Sequence, residues 1–117
     1  MSEWLDVSEL KTMLRALADE ARLNIVHHLA GHDEANVTEI CRSLNMSQPL
    51  VSWDLAMLRR AGLARRRRLG RQAYWSLDMA RFQRCQQWLA SLAEPGANEP
   101  DTKNLELHGG RVYPNGV

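Results

Sequence analysis

Two short helical patterns separated by three residues constrain the fold of this chain more than any other feature. The first pattern covers about Val37 to Leu44, and the second runs from about Gln48 to Ala61. The residues between them are Asn45-Met46-Ser47. Asn tolerates the left-handed dihedrals that a tight turn needs, and Ser is a favoured N-cap. Pro49 falls in the first turn of the second helix, where a missing N–H costs little. The spacing therefore predicts two closely packed helices joined by a tight turn.

An arginine-rich segment follows the second helix, which Gly62 is placed to end. The segment 63–68 contains four consecutive arginines, residues 69–71 contain a glycine, and residues 72–77 include Tyr74 and Trp75. Four arginines are not an obvious strand by propensity, but the aromatic pair supplies a plausible partner strand. We therefore predict a β-hairpin over residues 63–77. A helix-turn-helix followed by a basic hairpin, or wing, is itself a DNA-binding arrangement.

The rest of the pattern adds three helices. The first begins after Asp6, which forms a capping-box pair with Glu9; the others cover about Asp19 to Ala30 and about Asp78 to Ala93. The predicted fold is mainly α (α+β), with about five helices and a two-stranded wing. Residues 1–93 are expected to form the DNA-binding and dimerisation domain, and residues 94–117, rich in Pro and Gly, a flexible tail. So small a core favours a homodimer.

The charge of the chain is segregated, although its net value is only +1. Residues 40–85 hold ten basic and two acidic side chains, a net of +8, whereas the remainder holds five basic and twelve acidic ones, a net of −7. A basic middle between acidic ends favours a polyanion-binding face. The alternative from charge alone is an arginine-rich surface that is merely solvated.

The candidate DNA-binding residues lie on the second helix of the pair and on the hairpin. An α-helix fits the major groove, where Gln pairs with adenine and Ser serves a base edge or a phosphate. Strand residues alternate faces, so about two of the four arginines can face DNA, and the hairpin tip can reach a minor groove or phosphates. The candidates are Ser47, Gln48, Pro49, Ser52, Trp53, Arg66, Arg68, Arg71 and Gln72.

Two residues of that helix allow more than one interpretation. Trp53 either packs against thymine methyls or sugars, or it is a ring of the core or of a dimer interface. Asp54 is unexpected on a DNA-facing helix. It either points back into the protein and pairs with an arginine, which we favour, or accepts a hydrogen bond from cytosine.

The chain resembles the ArsR/SmtB family of small bacterial winged-helix repressors over about residues 7–92. The segments that carry the resemblance are Leu17–Val26, Ser47–Ser52, Leu55–Leu63 and Gly70–Trp75. The resemblance implies a homodimer joined through the first and last helices, with two recognition helices on a dyad-symmetric operator. It also implies repression that is relieved by a metal, metalloid or redox signal. Asp54 departs from the family, which often has His at that position.

The ligand sets that this resemblance implies are incomplete here. The segment that matches the metalloid site, residues 36–41, retains only Cys41, and one thiolate cannot assemble a multi-ligand soft site. The segment that matches the zinc site has Asp78 but no following histidine. We predict no metal site and no cofactor. Cys41 is expected to be a small buried residue of the helix-turn-helix, with a redox sensor as the alternative. Cys85, on the apolar stripe of the last helix, is expected in a dimer core, where it is a candidate for oxidation against its own copy.

These features favour a dimeric, sequence-specific DNA-binding regulator, most naturally a repressor. The alternatives are a winged-helix module that binds an acidic protein partner and a redox-responsive regulator that uses Cys85. We do not expect an enzyme, since no nucleophile–base grouping, phosphate loop or carboxylate pair is recognisable. No apolar run reaches membrane-spanning length, and the first residues do not resemble a secretion signal, so a reducing cytoplasm is the expected location.

Overall fold

The helices of the structure begin where the sequence offers a polar cap. In this computed structural model, which describes residues 5–94, the Asp6 carboxylate accepts a hydrogen bond from the Glu9 backbone N–H at 2.8 Å, and Glu9 Oε1 accepts one from the Asp6 N–H at 3.2 Å. The elements are α1 (Val7–Leu17), α2 (Glu20–Ala30), β1 (Ala35–Asn36), α3 (Val37–Leu44), α4 (Gln48–Arg60), β2 (Ala64–Leu69), β3 (Gln72–Leu77) and α5 (Met79–Ser91). The five helices and the hairpin are therefore confirmed.

The two turns that the sequence singled out have the expected backbone geometry. Asn45, after α3, is left-handed with φ 55°, and Ser47 caps α4 by accepting a hydrogen bond from the Leu50 N–H. Gly62, after α4, has φ 84°, and the Leu63 N–H donates to the Leu58 carbonyl at 2.9 Å. This backward bond is the Schellman arrangement that ends many helices at glycine. Together these turns fix where α4 starts and stops.

The sheet contains one strand more than the sequence predicted. β2 and β3 form the antiparallel hairpin of the wing, and the two-residue strand β1 pairs antiparallel with the other edge of β3, which gives the order β1-β3-β2. Two residues are too few to produce an alternation that a sequence pattern can reveal. β1 ends at Asn36, whose side chain caps α3 by accepting from the Glu39 N–H at 2.8 Å.

The core is formed where α1, α2, α3 and α4 meet, together with the start of the hairpin. Its largest fully buried side chains are Met13, Ile25, Leu29, Ile40, Val51, Leu55, Leu58 and Leu63. Ile40 of α3 and Val51, Leu55 and Leu58 of α4 fill the space between these two helices, whereas Leu44 is only half-buried. Cys41 was expected to be buried and is also only half-buried, because it lies next to the helix face that carries Ile40 and not on it.

The chain divides into two units, residues 1–85 and 86–117. The first unit contains all elements up to the first half of α5. Of the second unit the structure describes residues 86–94, in which the helix ends at Ser91, slightly before the predicted end. The predicted flexible tail lies outside the described residues except for Glu94. Among residues 5–94 no helix is both long and apolar enough to cross a lipid bilayer.

Candidate nucleic-acid interface

The helix α4 presents one buried face and one polar, solvent-exposed face. Val51, Leu55 and Leu58 are fully buried, and they hold the helix against the core. Four of the predicted contact residues, Ser47, Gln48, Pro49 and Ser52, are all exposed. Ser47 uses its hydroxyl oxygen to accept the Leu50 N–H, so its O–H remains able to donate to an anion. The exposed N-terminal half of α4 therefore offers hydrogen-bonding groups at the positive end of a helix.

Trp53 is exposed on α4, with 60% of its surface accessible. This excludes the interpretation that it belongs to the core of a single chain. The neighbouring Leu50, which the sequence reasoning did not select, is also exposed, at 56%. An indole and a leucine side chain in solvent are costly unless something covers them. They extend the exposed face of α4 with apolar groups beside its polar ones.

The strand register places the two predicted wing arginines on one face of the hairpin. Arg66 lies opposite Trp75, and Arg68 lies opposite Ala73, so these four side chains share a face. The Arg66 guanidinium carbon is 5.9 Å from the centre of the Trp75 ring, a cation–π distance. Both arginines are exposed. The strand alternation thus gives the hairpin two faces: Arg66 and Arg68 lie on one, and Arg65 and Arg67 lie on the other.

A cleft of about 530 Å³ separates α4 from this face of the wing. It brings together Ser52 and Arg66, two of the predicted residues, from the consecutive elements α4 and β2. Its wall is made of Val37, Ser52, Ala56, Arg59, Arg60, Arg66, Ala73 and Trp75. The sequence reasoning missed Arg59 and Arg60 as site residues. The signal was present, since Ser52, Ala56 and Arg59 recur at the spacing of one helix face.

The other face of the hairpin is held by an ion pair. Arg67 donates two hydrogen bonds of 2.8 Å to the two carboxylate oxygens of Glu34, and its guanidinium carbon lies 5.5 Å from the Tyr74 ring centre. The hydrogen bonds from Arg67 lower the pKa of Glu34, and those to Glu34 raise the pKa of Arg67. Arg67 is thus already engaged within the protein, whereas Arg66 and Arg68 on the opposite face form no ion pair with any residue that the structure describes.

The hairpin tip carries the remaining predicted residues. Arg71 and Gln72 are both exposed, and Gly70 has φ 65°, the left-handed conformation that this two-residue turn requires. Neither Arg71 nor Gln72 lines the cleft beside α4. A role for them therefore depends on reaching a separate part of a bound duplex.

Asp54 points into the protein and pairs with an arginine, as favoured from the sequence. Its Oδ1 accepts a hydrogen bond of 3.0 Å from Nη1 of Arg22 on α2, and the side chains are only 7% and 15% exposed. Arg22 also donates through Nε to the Ala16 carbonyl at 2.6 Å. The pair joins α2 to the buried side of α4, so the carboxylate does not face the exposed side of the helix.

The two cysteines differ in exposure. Cys85 is 5% exposed within a single chain, and burial raises the pKa of its thiol. A raised pKa makes the reactive thiolate scarcer. Cys41 is half-buried. Within the described residues, no group of three or more His, Cys, Asp or Glu side chains is arranged to hold a metal ion.

Comparison with known proteins identifies the family. Residues 19–66 match the family model of the bacterial regulatory proteins of the arsR family. The chain is also 33% identical, over 76 residues, to the transcriptional repressor PagR of Bacillus anthracis, in a match that covers 65% of this chain and 76% of PagR. The chain belongs to the ArsR family. The matched region includes α2, α3, the turn, α4 and the first residues of β2, whereas the rest of the wing lies beyond it.

This ArsR-family chain is also similar to a second curated repressor and to a solved DNA-binding domain. It is 40% identical over 66 residues to the arsenical resistance operon repressor of Escherichia coli, a match that covers 56% of each protein; the chain thus spans little more than half of that relative. The homodimeric winged helix-turn-helix DNA-binding domain of a Mycobacterium bovis protein matches with 30% identity and a TM-score of 0.61. That structural match covers 73% of this chain and 81% of the other. The winged helix-turn-helix fold is confirmed.

Proposed function

We propose that this chain is a homodimeric, sequence-specific DNA-binding regulator that acts as a transcriptional repressor. In this proposal α4 enters the major groove with Gln48 and Ser52 toward base edges. Ser47 and the α4 N-terminus bind a phosphate, Arg66 and Arg68 bind the adjacent backbone, and the tip residues Arg71 and Gln72 reach the flanking groove. Such a regulator works on the chromosome, so we place it in the cytoplasm.

One observation carries this proposal most strongly: the exposed face of α4 and the exposed arginine face of the wing border the same cleft. Ser52 on α4 and Arg66 on β2 line it together. A base-reading helix beside a phosphate-binding hairpin is what a winged duplex-binding domain needs. The repressor function of PagR and of the Escherichia coli relative supports the direction of the output.

The decisive experiment is selection of bound duplexes from a random pool, followed by measurement of affinity for the selected site. We expect two half-sites related by a dyad. Gln48→Ala should then weaken binding to that site by about 1–3 kcal/mol and relax the preference at one base pair. Gln83→Ala, an exposed glutamine on α5, is the matched control and should change nothing. Equal weakening on the selected site and on random DNA would refute the placement of α4.

The wing is tested through the salt dependence of the same affinity. Each phosphate contact adds about 0.9 to the slope of log K against log salt. Arg68→Gln and Arg71→Gln should each lower that slope by roughly 1, with little change in sequence preference. A protein-interaction module would instead show no salt-dependent duplex binding at physiological ionic strength, and this result would favour the alternative function.

The dimer is supported by an exposed apolar face on α1. A shallow apolar depression of about 380 Å³ is lined by Val7, Leu10, Lys11, Leu14, Arg15 and Ala18, and Val7 is 68% exposed. Such a face is typical of a helix that a second copy covers. We expect Leu14→Glu to shift the protein to monomers in sedimentation velocity. Leu23→Glu, at a leucine on α2 that is more exposed than Leu14, should leave the dimer intact. Loss of the dimer in both variants, or in neither, would contradict this assignment of the interface.

A further inference from the structure

Three arginines without an assigned DNA contact line a second cleft, formed by α1, the end of α4 and the start of α5. The cleft measures about 410 Å³ and lies beside Gly62. Its lining is polar and comprises Ser8, Glu9, Thr12, Arg59, Arg60, Ala61, Gly62 and Arg81. The charged groups are three guanidinium groups and one carboxylate. In the part of the chain that the structure describes, none of these arginines forms an ion pair, whereas Arg22 and Arg67 do.

Arg81 is held in this cleft by its contact with Gly62. A Cβ atom at position 62 would lie 2.9 Å from Nη1 of Arg81, so the guanidinium lies against the bare backbone of the glycine. Arg81 also stands in the first turn of α5, where the helix dipole disfavours a cation. Helix stability therefore does not account for an arginine here, and the contact with Gly62 fixes its head group at the cleft wall.

The one carboxylate in the lining is already occupied. Glu9 accepts a hydrogen bond from the Asp6 N–H as part of the capping box of α1, and Thr12 donates its hydroxyl to the Ser8 carbonyl. Neither group neutralises the three guanidinium groups. Guanidinium groups bind phosphate-type oxyanions through paired N–H donors, and several of them around one concavity match a ligand with more than one negative charge.

We propose that this cleft is an effector site for a small multivalent oxyanion of the phosphate type, and that its occupation weakens DNA binding. Arg59 and Arg60 line this cleft and also the cleft between α4 and the wing. An anion that draws these two side chains toward α1 removes positive charge from the DNA side. The regulatory half of this inference rests on the proposed function, but the anion site itself does not.

The test uses the full chain and inorganic pyrophosphate as the probe, titrated calorimetrically at constant ionic strength. We expect saturable binding that Arg81→Gln weakens by roughly tenfold, the loss of one charge-assisted contact. Arg84→Gln, an exposed arginine one turn further along α5 that does not line the cleft, should bind as the parent does. Glu9→Gln keeps an acceptor for the α1 cap, removes the only carboxylate, and should tighten binding. No binding by the parent chain, or equal losses in the Arg81 and Arg84 variants, would overturn the proposal.

A second arm separates a free ligand from the DNA backbone as the source of the phosphate. Pyrophosphate should weaken binding to the selected duplex in the parent chain but much less in Arg81→Gln, with potassium chloride as the ionic-strength control. If Arg81→Gln weakens duplex binding as strongly as pyrophosphate binding, the cleft holds a DNA phosphate and the effector proposal is wrong. If pyrophosphate binds as expected while no duplex is bound at all, the anion site stands and the proposed function fails.

Discussion

Among the contacts that hold α4 against α2, the ion pair between Arg22 and Asp54 should cost the most stability when it is broken. Arg22→Met removes the partner of a carboxylate that is 7% exposed and also leaves the Ala16 carbonyl without its donor. Removal of one member of a buried pair costs about 3–5 kcal/mol. Because Arg22 itself is 15% exposed, we expect the lower end, about 3 kcal/mol. Asp54→Asn keeps an acceptor of the same shape and should cost less, about 1–2 kcal/mol.

These losses in the free energy of unfolding are measured by urea denaturation, monitored by circular dichroism at one fixed protein concentration. The double variant Arg22→Met with Asp54→Leu removes both charges and should recover most of the stability, which gives a large coupling energy in a double-mutant cycle. Arg42→Met, at an exposed arginine on α3, is the control and should change stability by less than about 0.5 kcal/mol. The reasoning is refuted if Arg22→Met costs under about 1 kcal/mol, or if the effects of the double variant simply add.

Two further predictions concern the histidine pair and the buried cysteine. The His28 and His32 rings stack with their centres 4.2 Å apart, and burial, followed by the nearby His32, lowers the pKa of His28, against a smaller opposing effect of Glu39. Because the unfolded chain then binds the proton more tightly, stability should be full above the ordinary histidine pKa of about 6.5 and fall as the pH drops through the lowered folded value. Urea midpoints measured above and below that range should differ less in His32→Gln, and an unchanged difference would contradict this cause. Cys85→Ser should lower stability by about 1–2 kcal/mol, since it buries a hydroxyl. The parent chain, like this variant, should bind the duplex equally under reducing and oxidising conditions; an oxidation-dependent affinity in the parent that the variant lacks would instead establish the redox alternative.

The fold was largely predictable because its boundaries depend on local chemistry. Asp6, Ser47 and Gly62 each act through backbone hydrogen bonds or dihedrals within a few residues, and each is found in its predicted role. The wing was predictable for a different reason, since Tyr74 and Trp75 indicate a strand that the arginines alone do not. Even the direction of Asp54 followed from the cost of placing a carboxylate among groups that bind phosphates.

What the sequence did not reveal depends on contacts between distant segments. β1 exists only because β3 offers a free edge to residues 35–36. The second cleft is lined by residues of α1, the end of α4 and Arg81 of α5, which are far apart in sequence, and Arg59 and Arg60 line both clefts. Cys41 was wrongly predicted to be buried, because its distance in sequence from the turn does not specify which face of the eight-residue helix α3 packs against the core.

The short strand β1 makes the hairpin part of the same mechanical unit as α3. Asn36 pairs with Tyr74 in the sheet and caps α3 with its side chain. Glu34, two residues earlier, accepts two hydrogen bonds from Arg67. A pull on the hairpin by a bound duplex is therefore transmitted through one extended segment to the first peptide groups of α3. The wing and the N-terminal end of α3 should therefore move together and not independently.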